Sequence, residues 1–159
     1  MFSNSLRKRS KSTGKSRTLN KHVWFNPDTR EKLNTKPANS EGFIHFDSEL
    51  EFSFYLSLSP LEKSECSLHH PIELLPKPNL INWRCDFYFP LSKLIVEVKG
   101  DWINSTSFST QKALLIYQLK LARFQGYEIL LLGNIDFTIG EFQVHNYRKW
   151  RQICNADFV

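Results

Sequence analysis

Cysteine is scarce in this chain of 159 residues, which has only Cys66, Cys85 and Cys154 and no Cys-x-x-Cys pair. An odd and widely spaced set of cysteines argues against a disulfide framework and indicates a reducing compartment. The sequence also has no apolar run long enough to cross a bilayer, so we expect no membrane partner. Together these absences favour a soluble cytoplasmic protein, although import into an organelle is still open.

Acidic residues are missing from the first 21 positions, which carry seven basic side chains, whereas the rest of the chain has 14 basic and 16 acidic residues. Such a polar segment cannot bury enough apolar surface to fold alone, so we expect a disordered basic arm over residues 1–21. The arm is predicted to bind nucleic-acid phosphates. An organelle transit peptide and a solubilising tail are the alternatives. The predicted DNA-binding residues are Arg7, Lys8, Arg9, Lys11, Lys15 and Arg17.

The most informative stretch is Trp83–Gly100. Two strand-like runs, Arg84–Phe89 and Leu94–Lys99, flank a short break that contains Pro90. Aromatic and β-branched residues on both sides of a turn signal predict a β-hairpin. If the hairpin is symmetric about its turn, Asp86 lies directly opposite Glu97.

The hairpin predicts one polar and one apolar face. Directly paired residues share a face, and so do residues two apart on one strand, so Asp86, Glu97 and Lys99 should emerge together. Facing carboxylates repel and require a cation when they are partly buried. Magnesium prefers such oxygen ligands, and manganese is an alternative. The opposite face is apolar and suited to a core: Phe87, Phe89, Leu94, Val96 and Val98.

The pattern of Asp86, ten intervening residues and then Glu97-Val98-Lys99 resembles the PD-(D/E)xK nuclease superfamily, with Cys85 where many members carry proline. The resemblance implies that Asp86 and Glu97 are catalytic and hold a metal ion, with the main-chain carbonyl of Val98 as a further contact. It also implies that Lys99 orients or activates the water that attacks a phosphodiester.

A first helix is predicted over residues 46–58 from its apolar stripe, with Pro60 ending it. Ser48 and Glu51 have the spacing of a capping box. The same SxLE-like pattern resembles the first helix of superfamily members, which implies a catalytic and metal-binding role for Glu51, with Glu49 as the alternative.

The order of elements predicts an α/β fold. A helix at 110–125 followed by a buried strand at 127–132 implies a crossover to a strand parallel with residues 94–99. This gives the α-β-β-β-α-β order of a restriction-endonuclease-like core, a mixed central sheet flanked by helices. We expect a basic arm over 1–21, a small hairpin and loop extension over 22–45, and the nuclease domain over 46–159.

Further nucleic-acid contacts are predicted outside the arm. Lys112 lies in the first turn of the long helix, and Arg148, Lys149 and Arg151 lie beside aromatic residues on a final helix. A basic helix face that packs its aliphatic stems on the core is the alternative for the last three. Cys66, His69 and His70 are interpreted as a surface cluster, and His22, His45 and His145 as isolated structural residues.

These observations predict a metal-dependent DNA endonuclease that cuts double-stranded DNA. One chain supplies one site, so cutting both strands implies a homodimer or a larger homo-oligomer. The compact chain favours a site-specific homing or mobile-element enzyme, and a structure-specific resolvase of four-way junctions is the alternative. A non-catalytic nucleic-acid-binding protein is the alternative of another class.

Overall fold

The computed structural model describes residues 21–75, 77–78, 80–100 and 109–156. The strands in these ranges are β1 (Val23–Phe25), β2 (Lys32–Leu33), β3 (Ile44–Phe46), β4 (Ser67–Leu68), β5 (Pro71–Leu75), β6 (Ile81–Arg84), β7 (Phe87–Phe89), β8 (Leu94–Val98), β9 (Glu128–Gly133), β10 (Phe137–Ile139) and β11 (Phe142–Asn146). The helices are α1 (Glu49–Ser57), α2 (Pro60–Glu65), α3 (Ser109–Phe124) and α4 (Tyr147–Ala156).

A six-stranded sheet forms the centre of the molecule, in the order β10-β11-β9-β8-β7-β4. Strand β9 is parallel to both β8 and β11, whereas β7 is antiparallel to β8 and to β4. The crossover from β8 through α3 to β9 therefore produces the parallel pair that the sequence predicted. The mixed α/β class with helices flanking a mixed central sheet is confirmed.

Each face of the central sheet has its own apolar core. On one face, α1, α4 and the small sheet β2-β1-β3 pack against the hairpin residues that were predicted to be apolar, and that prediction is confirmed. On the other face, α3 contributes Leu115, Leu119 and Ala122, which pack near Ile95 and Leu131. Alternation along β8 thus sends Val96 and Val98 to the α1 side and Ile95 and Glu97 to the α3 side.

The central hairpin has the predicted register but a shorter first strand. Phe87 pairs with Val96 and Phe89 with Leu94, so the strands are symmetric about the turn as expected. The predicted continuous strand from Arg84 to Phe89 is wrong, because β6 ends at Arg84 and pairs with β5 in a separate ladder. The N–H of Cys85 donates to the carbonyl of His70 at 3.2 Å, which draws the chain away from β8. The chain preceding Phe87 therefore separates from β8.

The predicted helix over 46–58 is confirmed except at its start, because Phe46 lies in β3 and α1 begins at Glu49, and a second helix follows it. Ser48 caps α1, as expected, and accepts a hydrogen bond from the N–H of Glu51. Pro60 does not merely end that helix, because it is the first residue of α2, where its missing N–H costs no hydrogen bond. Ser59 and Glu62 complete a capping box around it.

Helix α4 is joined to α2 through Arg151. Its guanidinium donates to both carboxylate oxygens of Glu62, at 2.7 and 3.1 Å, and to the carbonyl oxygen of Ser57 at 2.7 Å. The Arg151 side chain is 11 % exposed, so these bonds are shielded from water. This fork-shaped contact holds the last helix against the end of α1 and the start of α2.

We expect Arg151→Ala to lower the free energy of unfolding by about 2 kcal/mol, because it leaves Glu62 without its charged partner. Urea denaturation of the purified variant measures this loss. The matched control is Arg148→Ala on the same helix, whose exposed side chain should cost less than about 0.5 kcal/mol. Equal effects of the two substitutions would contradict a special role for Arg151.

Candidate active site at the diverging hairpin

Asp86 lies at the point where β7 separates from β8. Its Oδ2 accepts a hydrogen bond from the N–H of Val98 at 2.7 Å, so the carboxylate takes the place of a main-chain partner in the ladder. The N–H and C=O of one strand residue point to the same side, so the carbonyl of Val98 is directed toward the edge of β8 on which Asp86 lies. A carboxylate and a main-chain carbonyl are therefore expected on the same edge of β8.

Lys99 joins the two carboxyl groups of the hairpin. Its Nζ donates to Glu97 Oε2 at 3.1 Å and lies 3.9 Å from Asp86 Oδ2. The three side chains that the sequence predicted on one face are therefore close together. All three are well shielded, since the Lys99 side chain is 20 % exposed and that of Glu97 only 3 %.

Trp83 completes the surroundings of Glu97 and was not predicted as a site residue. Its indole Nε1–H donates to Glu97 Oε1, so both oxygens of this buried carboxyl group have a partner. The contact depends on the divergence of the hairpin, because Trp83 lies on β6, outside the central sheet. The sequence offered one signal for this contact, which is the position of Trp83 three residues before Asp86. Its indole orients Glu97 toward the lysine.

Glu51 approaches the same site from the start of α1. Its two oxygens accept hydrogen bonds from Ser48 Oγ and from the N–H of Asp47, both at 2.9 Å. Glu51 is buried and lies close enough to Lys99 and Asp86 for their charges to interact. Glu49, the alternative, is exposed and bonds to Lys32 at 2.8 Å. The structure therefore brings Glu51, not Glu49, to the site.

Burial dominates the electrostatics of this site. Loss of solvation raises the pKa of Glu97 to about 8, despite the opposing effect of Lys99, and it also raises the pKa of Asp86 and of Glu51. Burial alone would lower the pKa of Lys99, but the neighbouring Glu97 and Asp86 outweigh it and raise that pKa. The lysine therefore stays charged at neutral pH, and three carboxyl groups share this single cation.

The donor set suits a hard divalent cation. Asp86 and Glu97 offer carboxylate oxygens near Lys99 Nζ, and Glu51 lies close enough to Asp86 for their charges to interact. Magnesium and manganese favour such oxygen ligands, and a dication would offset the charge that Lys99 does not balance. The pair Asp86 and Glu97 therefore fits the predicted metal.

The predicted DNA-binding residues fall into three groups. Those of the basic segment, from Arg7 to Arg17, lie outside the described residues, and so does the side chain of Lys112 in α3. Arg148 and Lys149 are exposed on α4, where Lys149 Nζ bonds to Asp136 at 2.8 Å. The guanidinium of Arg151 is instead held by Glu62 and Ser57 inside the fold.

A group of histidines near Glu51 was not predicted. The rings of His22 and His45 stack with centroids 5.2 Å apart, so the interpretation of these two residues as isolated is wrong. His69 also approaches His45, and its Nε2 donates to the carbonyl oxygen of His45 at 3.1 Å. The missed signal was the pairing of β1 with β3, which brings His22 and His45 together.

Searches of protein-family models, curated protein sequences and solved structures find no match to this chain. Among the helices that the structure describes, none combines the length and the apolar character needed to cross a bilayer. Function must therefore be inferred from the geometry of the site.

We expect the Glu97 contribution to the stability of the metal-free protein to be lost as the pH rises from about 4.5 to about 8. Glu97 has a pKa of about 8 in the folded protein and 4.5 as its ordinary value, so between these values the folded state binds more protons than the unfolded state. The free energy of unfolding should then fall with a slope of up to about 1.4 kcal/mol per pH unit. Urea denaturation in EDTA at several pH values measures the slope.

The variant Glu97→Gln should flatten this pH dependence, because the amide does not titrate. Glu73→Gln, which changes an exposed carboxylate on β5, is the matched control and should keep the slope of the wild type. A wild-type protein whose stability rises over this range would show that Glu97 is ionised in the folded state.

We also expect Trp83→Phe to lower the free energy of unfolding by about 2 kcal/mol, since it leaves a buried carboxyl oxygen unsatisfied. Urea denaturation measures the loss. The matched control is Trp150→Phe, because the Trp150 ring packs near Phe54 and away from Glu97. If combining Trp83→Phe with Glu97→Gln gave fully additive losses, the two side chains would not be coupled.

Proposed function

We propose that this chain is a metal-dependent DNA endonuclease of the PD-(D/E)xK type. The observation that carries the proposal is the position of Lys99 Nζ, which lies within 4 Å of both Asp86 and Glu97 where the hairpin diverges. Glu51, on the neighbouring helix, lies close enough to Lys99 for their charges to interact. This combination of one lysine and three shielded carboxyl groups fits hydrolysis of a phosphodiester better than a purely structural role, because burying unbalanced charge destabilises a fold.

Asp86, Glu97, Glu51 and the carbonyl of Val98 would hold Mg²⁺, or Mn²⁺ in its place. When bound, the ion supplies Lewis-acid chemistry and acidifies a coordinated water. The chain's own residues fix the geometry. Trp83 holds one oxygen of Glu97, and Ser48 together with the N–H of Asp47 holds the carboxyl group of Glu51.

Lys99 would act as a charged hydrogen-bond donor. The neighbouring Glu97 and Asp86 raise the pKa of Lys99, which favours the protonated ammonium at neutral pH over a form that could take a proton from water. The ammonium can instead orient the attacking water or stabilise negative charge that develops on the phosphate. Of the two roles predicted for Lys99, the charge on its side chain supports orientation over activation.

The DNA substrate would be held by basic groups around this site. The basic segment over residues 1–21 supplies charge without any acidic residue, and Arg148 and Lys149 add exposed cations on α4. We leave Arg151 out of the proposed interface, because its guanidinium is bonded to Glu62 and Ser57. Cutting both strands of a duplex would require two copies of the chain, and we propose a homodimer as the smallest active form.

The test is cleavage of supercoiled plasmid, linear duplex and a four-way junction in Mg²⁺ or Mn²⁺. We expect discrete products from the wild type and a loss of at least about 100-fold in rate for Asp86→Asn, Glu97→Gln and Lys99→Ala, because each removes a charge needed in the transition state. Preference for a duplex site would indicate a homing or mobile-element enzyme. Preference for the junction would indicate a resolvase.

A matched pair of variants on α1 sharpens this experiment. Glu51→Gln changes the buried carboxyl group and should reduce cleavage strongly, whereas Glu49→Gln makes the same chemical change on the exposed neighbour and should not. Thermal unfolding of both variants checks that the fold is intact. Binding of all three DNAs without cleavage in either metal would contradict the proposal and indicate a non-catalytic nucleic-acid-binding protein.

A further inference from the structure

Three side chains with metal-binding atoms converge next to the carboxylate site but outside it. His22 precedes β1, His45 is the middle residue of β3, and Asp47 follows β3 directly before α1. His22 Nδ1 lies 3.1 Å from His45 Nε2, and Asp47 Oδ1 lies 3.6 Å from His22 Nδ1. One ligand atom from each residue falls within 4.8 Å of the others. Three separate positions along the chain therefore supply one compact group of nitrogen and oxygen donors.

A third histidine lies beside this group. His69 Nε2 donates its proton to the carbonyl oxygen of His45. His69, Asp47 and Glu51 also place ligand atoms within 4.8 Å of one another. Asp47 thus belongs to both groups, and its N–H holds Glu51 at 2.9 Å. The histidine group and the carboxylate site are joined through this one residue.

Packing holds the ring of His45 in place, whereas the side chain of His22 is 57 % exposed. The His45 ring packs at a tilted angle against Trp24, with ring centroids 4.6 Å apart, and its side chain is 31 % exposed. The pairing of β1 with β3 fixes Trp24 opposite His45, which sets the direction of the imidazole. An imidazole that is already oriented loses little entropy when it binds a metal ion.

We propose that His22, His45 and Asp47 form a binding site for a borderline divalent cation of the zinc type, with water completing the coordination. Two imidazoles with one carboxylate favour zinc, cobalt or nickel over magnesium, which prefers oxygen donors alone. The site is therefore chemically distinct from the oxygen-only set formed by Asp86, Glu97, Glu51 and Val98. It does not rest on the proposed nuclease activity, because the ligands are present whether or not the chain cuts DNA.

A cation at this position would fix the base of the basic segment. His22 comes directly after residues 1–21 in the sequence, and Asp47 lies in the turn that bonds to Glu51. A metal ion shared by His22 and Asp47 would therefore tie the start of β1 to the start of α1. We assign it a structural role, in which it stabilises the position of Glu51 at the neighbouring site.

The test is titration of the full-length protein with Co²⁺, which replaces Zn²⁺ in such sites and gives visible absorption that is strong in four- or five-coordinate sites and weak in six-coordinate, water-like ones. We expect one equivalent of Co²⁺ to produce this absorption and Zn²⁺ to abolish it by displacement. His22→Gln and His45→Gln should each weaken Co²⁺ binding by at least about tenfold, since each removes a direct ligand.

Two controls locate the ion. His145→Gln removes an exposed imidazole on β11, away from the group, and should bind Co²⁺ like the wild type. Glu97→Gln should also keep the absorption, because the carboxylate site is separate. Circular dichroism of each variant confirms its fold. The proposal is overturned if wild-type protein gives no such absorption, if His145→Gln loses it equally, or if Glu97→Gln abolishes it.

Discussion

The carboxyl group of Glu97 lies almost completely buried at the end of the central strand, and the structure around it follows from the need to satisfy that group. Trp83 can bond to Glu97 only because β6 leaves the central sheet and pairs with β5. Because β6 departs from the sheet, the ladder between β7 and β8 ends before Val98. The N–H of Val98 then donates to the side chain of Asp86 instead of to a main-chain carbonyl. One buried polar group, the divergence of two strands and the placement of a second carboxylate are therefore parts of a single arrangement.

Much of this arrangement could be predicted from the sequence because it depends on local patterns. The register of the hairpin follows from its short turn, and alternation then assigns Phe87 and Val96 to the core and Glu97 to the opposite face. The end of the first strand could not be predicted, since it depends on pairing with β5, which the local pattern around Asp86 does not reveal. The same reason explains the histidine group, because only the contact between β1 and β3 brings His22 to His45.

Residues whose chemistry allows two roles were the hardest to assign. Arg151 and Lys149 lie two positions apart on one helix beside aromatic rings, and the sequence pattern treats them alike. The structure separates them, because the guanidinium of Arg151 reaches a carboxylate on α2, whereas Lys149 is exposed. Glu49 and Glu51 differ in the same way. In each pair, the direction of the side chain relative to the core decides its role, and that direction depends on how the helix packs.

The excess negative charge at the site has two possible solutions, and only one is compatible with a nucleic-acid substrate. A proton on Glu97 would remove one charge, consistent with the raised pKa of this group, and Lys99 would balance another. Among the described residues, Lys99 is the cation in contact with these carboxyl groups, so a phosphodiester near Asp86 and Glu51 would add negative charge to the site. If the proposed function holds, Asp86 and Glu97 would hold a divalent cation in place of that proton, and its charge would offset both the carboxylates and the phosphate. The burial that raises the pKa of Glu97 is therefore compatible with the proposed metal site.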